Sequence, residues 1–199
     1  MTKAQFSKLT LLLLVNVLLF TSNGVVAQTL KLNPKSSTIT ISGTTNVHDW
    51  KSQVTQMKGD LTVNSSKKIQ SLSVEIPVVS IKSEEKEKLM DKKTYEAFKS
   101  DKNPTISFQL TEVNSMQIIG ENISATITGN LTMAGFTKKI ILKTLGKNTK
   151  PGVYQFKGST PLKMSEFKMK APTALMGVMK VGDGVTLSYD VSFEGSQID

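Results

Sequence analysis

A single histidine and a single tryptophan lie two residues apart, in the run Asn46-Val47-His48-Asp49-Trp50. An imidazole beside a carboxylate first suggests the general base of a Ser-His-Asp arrangement. No Gly-x-Ser-x-Gly elbow or other nucleophile signature goes with it, and on an extended strand Asp49 would point away from His48. Two other readings of His48 stay open: a hydrogen-bonding role that orients a turn or barrel rim, and a polar contact with a ligand at a barrel mouth. Trp50 reads as a core anchor or as the plug of one barrel end. One histidine cannot furnish a His-rich zinc site, and a chain without cysteine has no thiol chemistry, thiolate metal site or Fe–S cluster. No catalytic residue, metal or cofactor is expected.

Met164, Met169, Met176 and Met179 crowd one stretch near the C-terminus. Thioethers can bind Cu(I), but only Met176-x-x-Met179 is closely spaced. The alternative is ordinary packing or an adaptable wall facing a ligand. Residues 168–180, with lysine at both ends, read as a flap between strands that could cover an apolar cavity. The carboxylates form no convincing catalytic pair; Glu84, Glu85 and Glu87 suit the start of a helix.

All 25 basic residues are lysine, against 16 acidic residues, for a formal net charge of +9. Such a balance suits anionic partners in general. Arginine, however, supplies the rigid fork that reads phosphates and guanine edges. Its absence, with few aromatics, argues against specific nucleic-acid recognition.

Lys3 and Lys8, the apolar run Leu9–Phe20 and the residues Val25-Val26-Ala27 have the layout of a secretory signal peptide, expected over residues 1–27. The run is short of the about 20 apolar residues that a transmembrane helix needs, and no later segment reaches that length. The remainder, residues 28–199, is expected to be one domain, periplasmic or secreted, with no integral membrane span.

Positioning these side chains falls to strands. Period-2 alternation recurs, separated by Gly, Asn, Lys and Ser clusters. It covers Thr38–Ile41, then Leu61 and Val63, then Leu72, Val74, Ile76 and Val78, then Ile106, Phe108 and Leu110. Ile123, Ala125 and Ile127 follow, with a turn expected at Gly129-Asn130 before Leu131 and Met133. Ile140 and Leu142 come next; Val153, Tyr154 and Phe156 are imperfectly phased. Val185, Leu187, Tyr189, Val191 and Phe193 give the cleanest pattern. Residues 84–99 break the rule: Met90, Thr94, Ala97 and Phe98 share a helical face, Ser83 could cap the start, and Pro104 stops any continuation. The expected class is therefore all-β: an extended antiparallel barrel of about eight strands with one inserted amphipathic helix. Closure removes exposed sheet edges, and about eight strands leave room for packed side chains or one small ligand.

Three stretches together resemble the YceI-like family of exported, lipocalin-like polyisoprenoid-binding proteins. Residues 37–50, with Gly43-Thr-Thr-Asn-Val-His48-Asp-Trp50, followed by Met57-Lys-Gly59-Asp-Leu61, resemble the family's opening strands. Tyr95-Glu-Ala-Phe98 and then Pro104-Thr-Ile106-Ser-Phe108 resemble its helix and the next strand. Ile127-Thr-Gly129-Asn-Leu131-Thr-Met-Ala-Gly135-Phe-Thr137-Lys-Lys resembles its hairpin. Where other members carry Arg-Asp in the helix region, this chain has Met90-Asp91, and Ser165-Glu-Phe167-Lys replaces an Asp-Phe-Gly run. The resemblance implies a lipocalin-like barrel whose apolar tunnel holds a long-chain amphiphile of polyisoprenoid or fatty-acyl type, and no catalytic residues. The expected ligand contacts are His48, Trp50, Val74, Ile76, Val78, Phe108, Leu110, Leu131, Met133, Met176, Leu187 and Tyr189. The expected partner is a long-chain lipid or isoprenoid, and a basic surface with paired barrel edges permits a homodimer. Two rival readings are a structural or stress-related interaction module with a filled core, and a lipid-acting enzyme using His48.

Overall fold

The computed structural model describes residues 27–84 and 87–195. Apart from Ala27, the expected signal peptide lies outside the described residues. The strands are β1 (Ala27–Leu32), β2 (Thr38–Thr45), β3 (Asp49–Val54), β4 (Lys58–Asn64), β5 (Ile69–Pro77), β6 (Ile81–Ser83), β7 (Thr105–Ile119), β8 (Asn122–Met133), β9 (Phe136–Lys150), β10 (Val153–Lys163), β11 (Thr173–Ala174) and β12 (Met179–Glu194); among the described residues one α-helix, α1 (Lys88–Phe98), follows β6.

Three of the barrel's staves are broken in the middle. β1 and β2 both lie along β12, β4 continues β3, and β6 continues β5. Counting each broken pair once gives a closed antiparallel barrel of 8 strands. The breaks have local causes. Pro34 opens a 3-10 turn capped by the Asn33 side chain, which accepts from the Lys35 N–H at 3.0 Å. Pro77 leads into a second, Val78–Ser80, and the Ser80 hydroxyl contacts the Pro77 carbonyl at 2.7 Å and the Gln56 carbonyl at 3.0 Å. Thr55 N–H donates to the Ser80 carbonyl at 2.9 Å, so the breaks in adjacent staves are fastened to each other.

Three local expectations need correction. β8 runs without a turn through Gly129-Asn130; the hairpin turns at Ala134-Gly135, where both residues adopt positive φ (51° and 82°). Ser83 does not cap the helix, because it belongs to β6 and pairs with Ser52. Asp91, in the first turn, instead accepts the Ser83 N–H at 2.8 Å. The imperfect phase around Val153 is a bulge between Val153 and Gln155, after which Tyr154 and Phe156 both point inward and stack with centroids 6.4 Å apart.

The interior is not uniform along the barrel. At the end holding the turns near 65, 120 and 151, Leu30, Leu61, Val63, Ile123, Tyr154 and Phe193 are 0–3% exposed, a solid plug of side chains. The other end carries the β2–β3 hairpin, α1 and the segment 164–178. Tyr95 anchors α1 there by donating to the Val79 carbonyl at 3.0 Å. The β9–β10 ladder ends at Thr144–Gly158. Beyond it the 3-10 turn Met164–Phe167 packs against β9, β10 and β12, with Phe167 fully buried.

Candidate ligand-binding cavity

Above the solid plug the barrel encloses a cavity of about 200 Å³. Its floor is Leu61, Ile69, Phe156 and Phe193, and its β12 wall runs from Phe193 up to Val181. At the mouth it is lined by Met90, Lys93, Thr94, Ala97 and Phe98 of α1, by Trp50, and by Met164, Met169 and Pro172. A dry engineered cavity of about 150 Å³ accepts benzene. A similar volume drawn out along a strand suits a slender chain better than a bulky ring system.

The cavity stays open because its aromatic side chains lie against the wall. Each rests on a glycine of the neighbouring strand: Trp50 over Gly43, Phe108 over Gly129, Phe156 over Gly146 and Tyr189 over Gly158. A Cβ on these glycines would stand 2.7, 2.3, 2.5 and 2.4 Å from the respective ring atoms or, at Tyr189, its hydroxyl oxygen. A strand glycine here therefore marks close approach rather than a turn. At Gly43 all the close neighbours are atoms of the Trp50 indole, with no backbone among them. Gly43→Ala is accordingly expected to tip the indole into the mouth and shift the emission of the protein's single tryptophan, while the thermal midpoint moves by only a few degrees. Unchanged emission would mean that the indole does not rest on Gly43.

The lining is almost wholly apolar. Two polar atoms stand out: Trp50 Nε1 and Tyr189 Oη are buried and have no hydrogen-bond partner among the described residues. The Thr144 hydroxyl beside Tyr189 donates to the Lys157 carbonyl at 3.1 Å. Burial pushes the Tyr189 phenol up from its usual range, with the Thr144 contact partly offsetting it, so it is a neutral donor at physiological pH. Buried donors of this kind are normally paired; a ligand oxygen could satisfy either of them. Lys93 at the mouth is held by Glu96 at 2.8 Å.

Of the residues expected to contact a ligand, Trp50, Val74, Ile76, Phe108, Leu131, Met133, Leu187 and Tyr189 line this cavity. Four lie elsewhere. His48 is exposed at the β2–β3 hairpin, with Nδ1 2.7 Å from the Asp49 carbonyl oxygen; its own carbonyl accepts from the Thr45 N–H and hydroxyl, the arrangement of a turn former. Val78 is fully buried in the 3-10 turn after Pro77, where its N–H donates to the Pro104 carbonyl at 2.8 Å. Leu110 packs on the core beside the register shift between Leu110 and Glu112. Met176 is fully exposed on a turn in the left-handed region, φ 53°. The α1 contributors belong to a face legible from its helical spacing. Ile39 and Ile41, which line the β2 wall, were legible from their alternation.

The segment that closes one side of the mouth is fastened by two carboxylates. Glu166 pairs with Lys138 at 2.8 Å, and Asp183 accepts the Ser165 N–H and O–H at 2.8 and 2.6 Å. The Lys138 hydrogen bond holds Glu166 below the usual carboxylate range, and the Ser165 hydrogen bonds do the same for Asp183. A carboxyl whose pKa is lowered by folding contributes stability above its unfolded pKa and loses it as pH falls through the folded one. Protease cleavage within 168–180 is thus expected to accelerate below the normal carboxylate range and to be flat from neutral pH upward. A flat rate through that acidic window would show that these contacts do not hold the segment.

Residues 30–193 match the YceI-like domain family. A UPF0312 protein of Pseudomonas paraeruginosa is 43% identical over 74 residues, covering 35% of this chain and 36% of its own length. One of Pseudomonas savastanoi is 36% identical over 101 residues, 48% of this chain and 46% of its own. The chain thus spans between about a third and a half of the curated relatives it matches. Among solved structures, a polyisoprenoid binding domain from Saccharophagus degradans aligns with a TM-score of 0.68 at 9% identity, covering 84% of this chain and 98% of that one. BcnA of Burkholderia cenocepacia aligns at 0.64 with 17% identity, covering 81% and 98%. At these identities the likeness is one of fold.

Proposed function

The chain belongs to the YceI-like family, and from that premise we propose that it is a binding protein, not an enzyme, that carries a long-chain amphiphile of polyisoprenoid or fatty-acyl type in its barrel. The observation that carries this reading is the hollow itself: a closed barrel, solid at one end, with a nearly all-apolar lumen kept open by aromatic rings laid on glycines. Burying a tail there yields about 0.8 kcal/mol per CH₂, so affinity needs few polar contacts. The polyisoprenoid binding domain of similar fold supports the choice of ligand class. His48 faces away from the lumen and serves its turn, which disfavours the lipid-acting enzyme. The basic, apolar and small-residue layout of residues 1–27 supports export to a periplasm or beyond the cell.

The test is organic extraction of natively purified protein followed by mass spectrometry, with titration of the same long-chain compound into stripped protein. A near-stoichiometric long-chain molecule and a saturable change in Trp50 emission are expected. A clean extract from a lipid-rich host, together with invariant emission, would favour the interaction module with a filled core.

A further inference from the structure

The flap side of the mouth carries an exposed apolar cluster. The β2–β3 hairpin raises Val47, 64% exposed, and the segment before β12 raises Met176 and Val178, at 107% and 68%. Met176 and Gly177 both adopt positive φ, 53° and 88°, in a tight turn that leaves the thioether in solvent. Non-glycine residues seldom adopt that conformation. Asn46 joins the hairpin to this segment: its side-chain amide donates to the Val178 carbonyl at 2.9 Å, its side-chain oxygen accepts the Lys180 N–H at 2.8 Å, and its own N–H donates to the Lys180 carbonyl at 3.1 Å. The apolar tips therefore stand on one frame.

Lysine outnumbers acid around them, although Asp49 beside the hairpin is exposed and Asp183 keeps its charge. Between Phe167 and Gly182 the chain has Lys168, Lys170 and Lys180, all exposed, and no acidic residue; the Lys168 ammonium rests over the Phe136 ring, 4.6 Å from its centroid. The acids that bracket this stretch are engaged, Glu166 by Lys138 and Asp183 by Ser165. On the α1 side of the mouth, by contrast, Asp91 and Glu96 pair with lysines.

We propose that this patch docks the barrel mouth onto an anionic phospholipid bilayer, with Val47, Met176 and Val178 entering the interface and the three lysines among the headgroups. Apolar tips on a lysine-rich segment are the chemistry that interfacial anchoring uses. A partner protein would match a cluster this small and this rich in lysine less well than a fluid, negatively charged surface does. The patch borders the cavity opening at Met169, Pro172 and Val181, so a docked barrel faces the bilayer with its open end. Adsorption follows from the surface alone and does not depend on what the lumen holds.

The experiment is vesicle flotation of the unmodified protein, with phosphatidylcholine vesicles compared against the same lipid doped with phosphatidylglycerol. Lysines at an anionic surface are worth about fivefold each and Asp49 offsets one of the three, so partition is expected to favour the anionic vesicles by about twentyfold and to weaken as salt rises. The double variant Met176→Asp, Val178→Asp should lose at least about tenfold with an unaltered thermal midpoint, both sites being exposed. Ile119→Asp, at the far end of the barrel and 74% exposed, should bind like wild type. Equal binding to neutral vesicles, insensitivity to salt, or an equal loss in Ile119→Asp would each overturn the proposal. So would self-association in the absence of lipid that the double variant abolishes, which would make a second copy the occupant.

Discussion

Leu187→Trp is expected to weaken uptake of a long tail about a hundredfold while leaving the barrel folded. Leu187 points inward from the middle of β12, opposite Ile41 on one side and Thr160 on the other, and lines the cavity. In a filled core an enlargement of this kind forces strain worth about 1–3 kcal/mol. Here about 200 Å³ of open space receives the indole, and the stability loss should stay below about 1 kcal/mol. Binding responds differently. Excluding about four methylenes from the lumen removes about 3 kcal/mol, roughly two orders of magnitude in affinity. Calorimetric titration with palmitate or farnesol, beside chemical denaturation, separates the cases. Unaltered affinity would place the ligand elsewhere, and a loss of several kcal/mol in stability would show a lumen already occupied by protein.

Phe193→Ala should destabilise the barrel strongly. Phe193 is 1% exposed and forms the floor between the cavity and the plug of Leu30, Leu61 and Tyr154. Removing a fully buried ring costs about 3–5 kcal/mol, because the surroundings relax only partly. The residue is pinned through β12 to Leu32 on one side and Tyr154 on the other, which limits collapse into the void. Denaturant midpoints compared at a common slope would show the effect. A loss below about 1 kcal/mol would mean that the floor is loosely packed and the cavity deeper than described.

Much of this architecture was legible from alternation. Val185 through Phe193 reads as one inward face of a strand and is one, and the face of α1 that covers the mouth was visible in the spacing of Met90, Thr94, Ala97 and Phe98. What failed was local punctuation. Gly129-Asn130 has the composition of a turn, yet lies mid-strand because the Phe108 ring of the adjacent strand occupies the place of a side chain. Val78 keeps the period of β5, yet Pro77 has already ended the strand. Leu110 keeps the period of β7 but meets a register shift. The glycine–aromatic pairs were out of reach for a further reason. Each pair joins two neighbouring strands, and only the register between those strands brings each ring over its glycine. The difference between the plugged end and the hollow end has the same origin, since alternation marks a residue as inward without giving its depth.

The plug at one end of the barrel also dictates an order of events. A tube open at both ends could exchange cargo by threading, with an incoming tail pushing the resident one out ahead of it. A blind tube cannot: the occupant must withdraw through the mouth before a successor can advance. Displacement of a bound tail should then proceed at a rate that levels off with rising competitor concentration, at the spontaneous release rate of the occupant. Residence time, rather than supply, would govern how quickly such a vessel turns over.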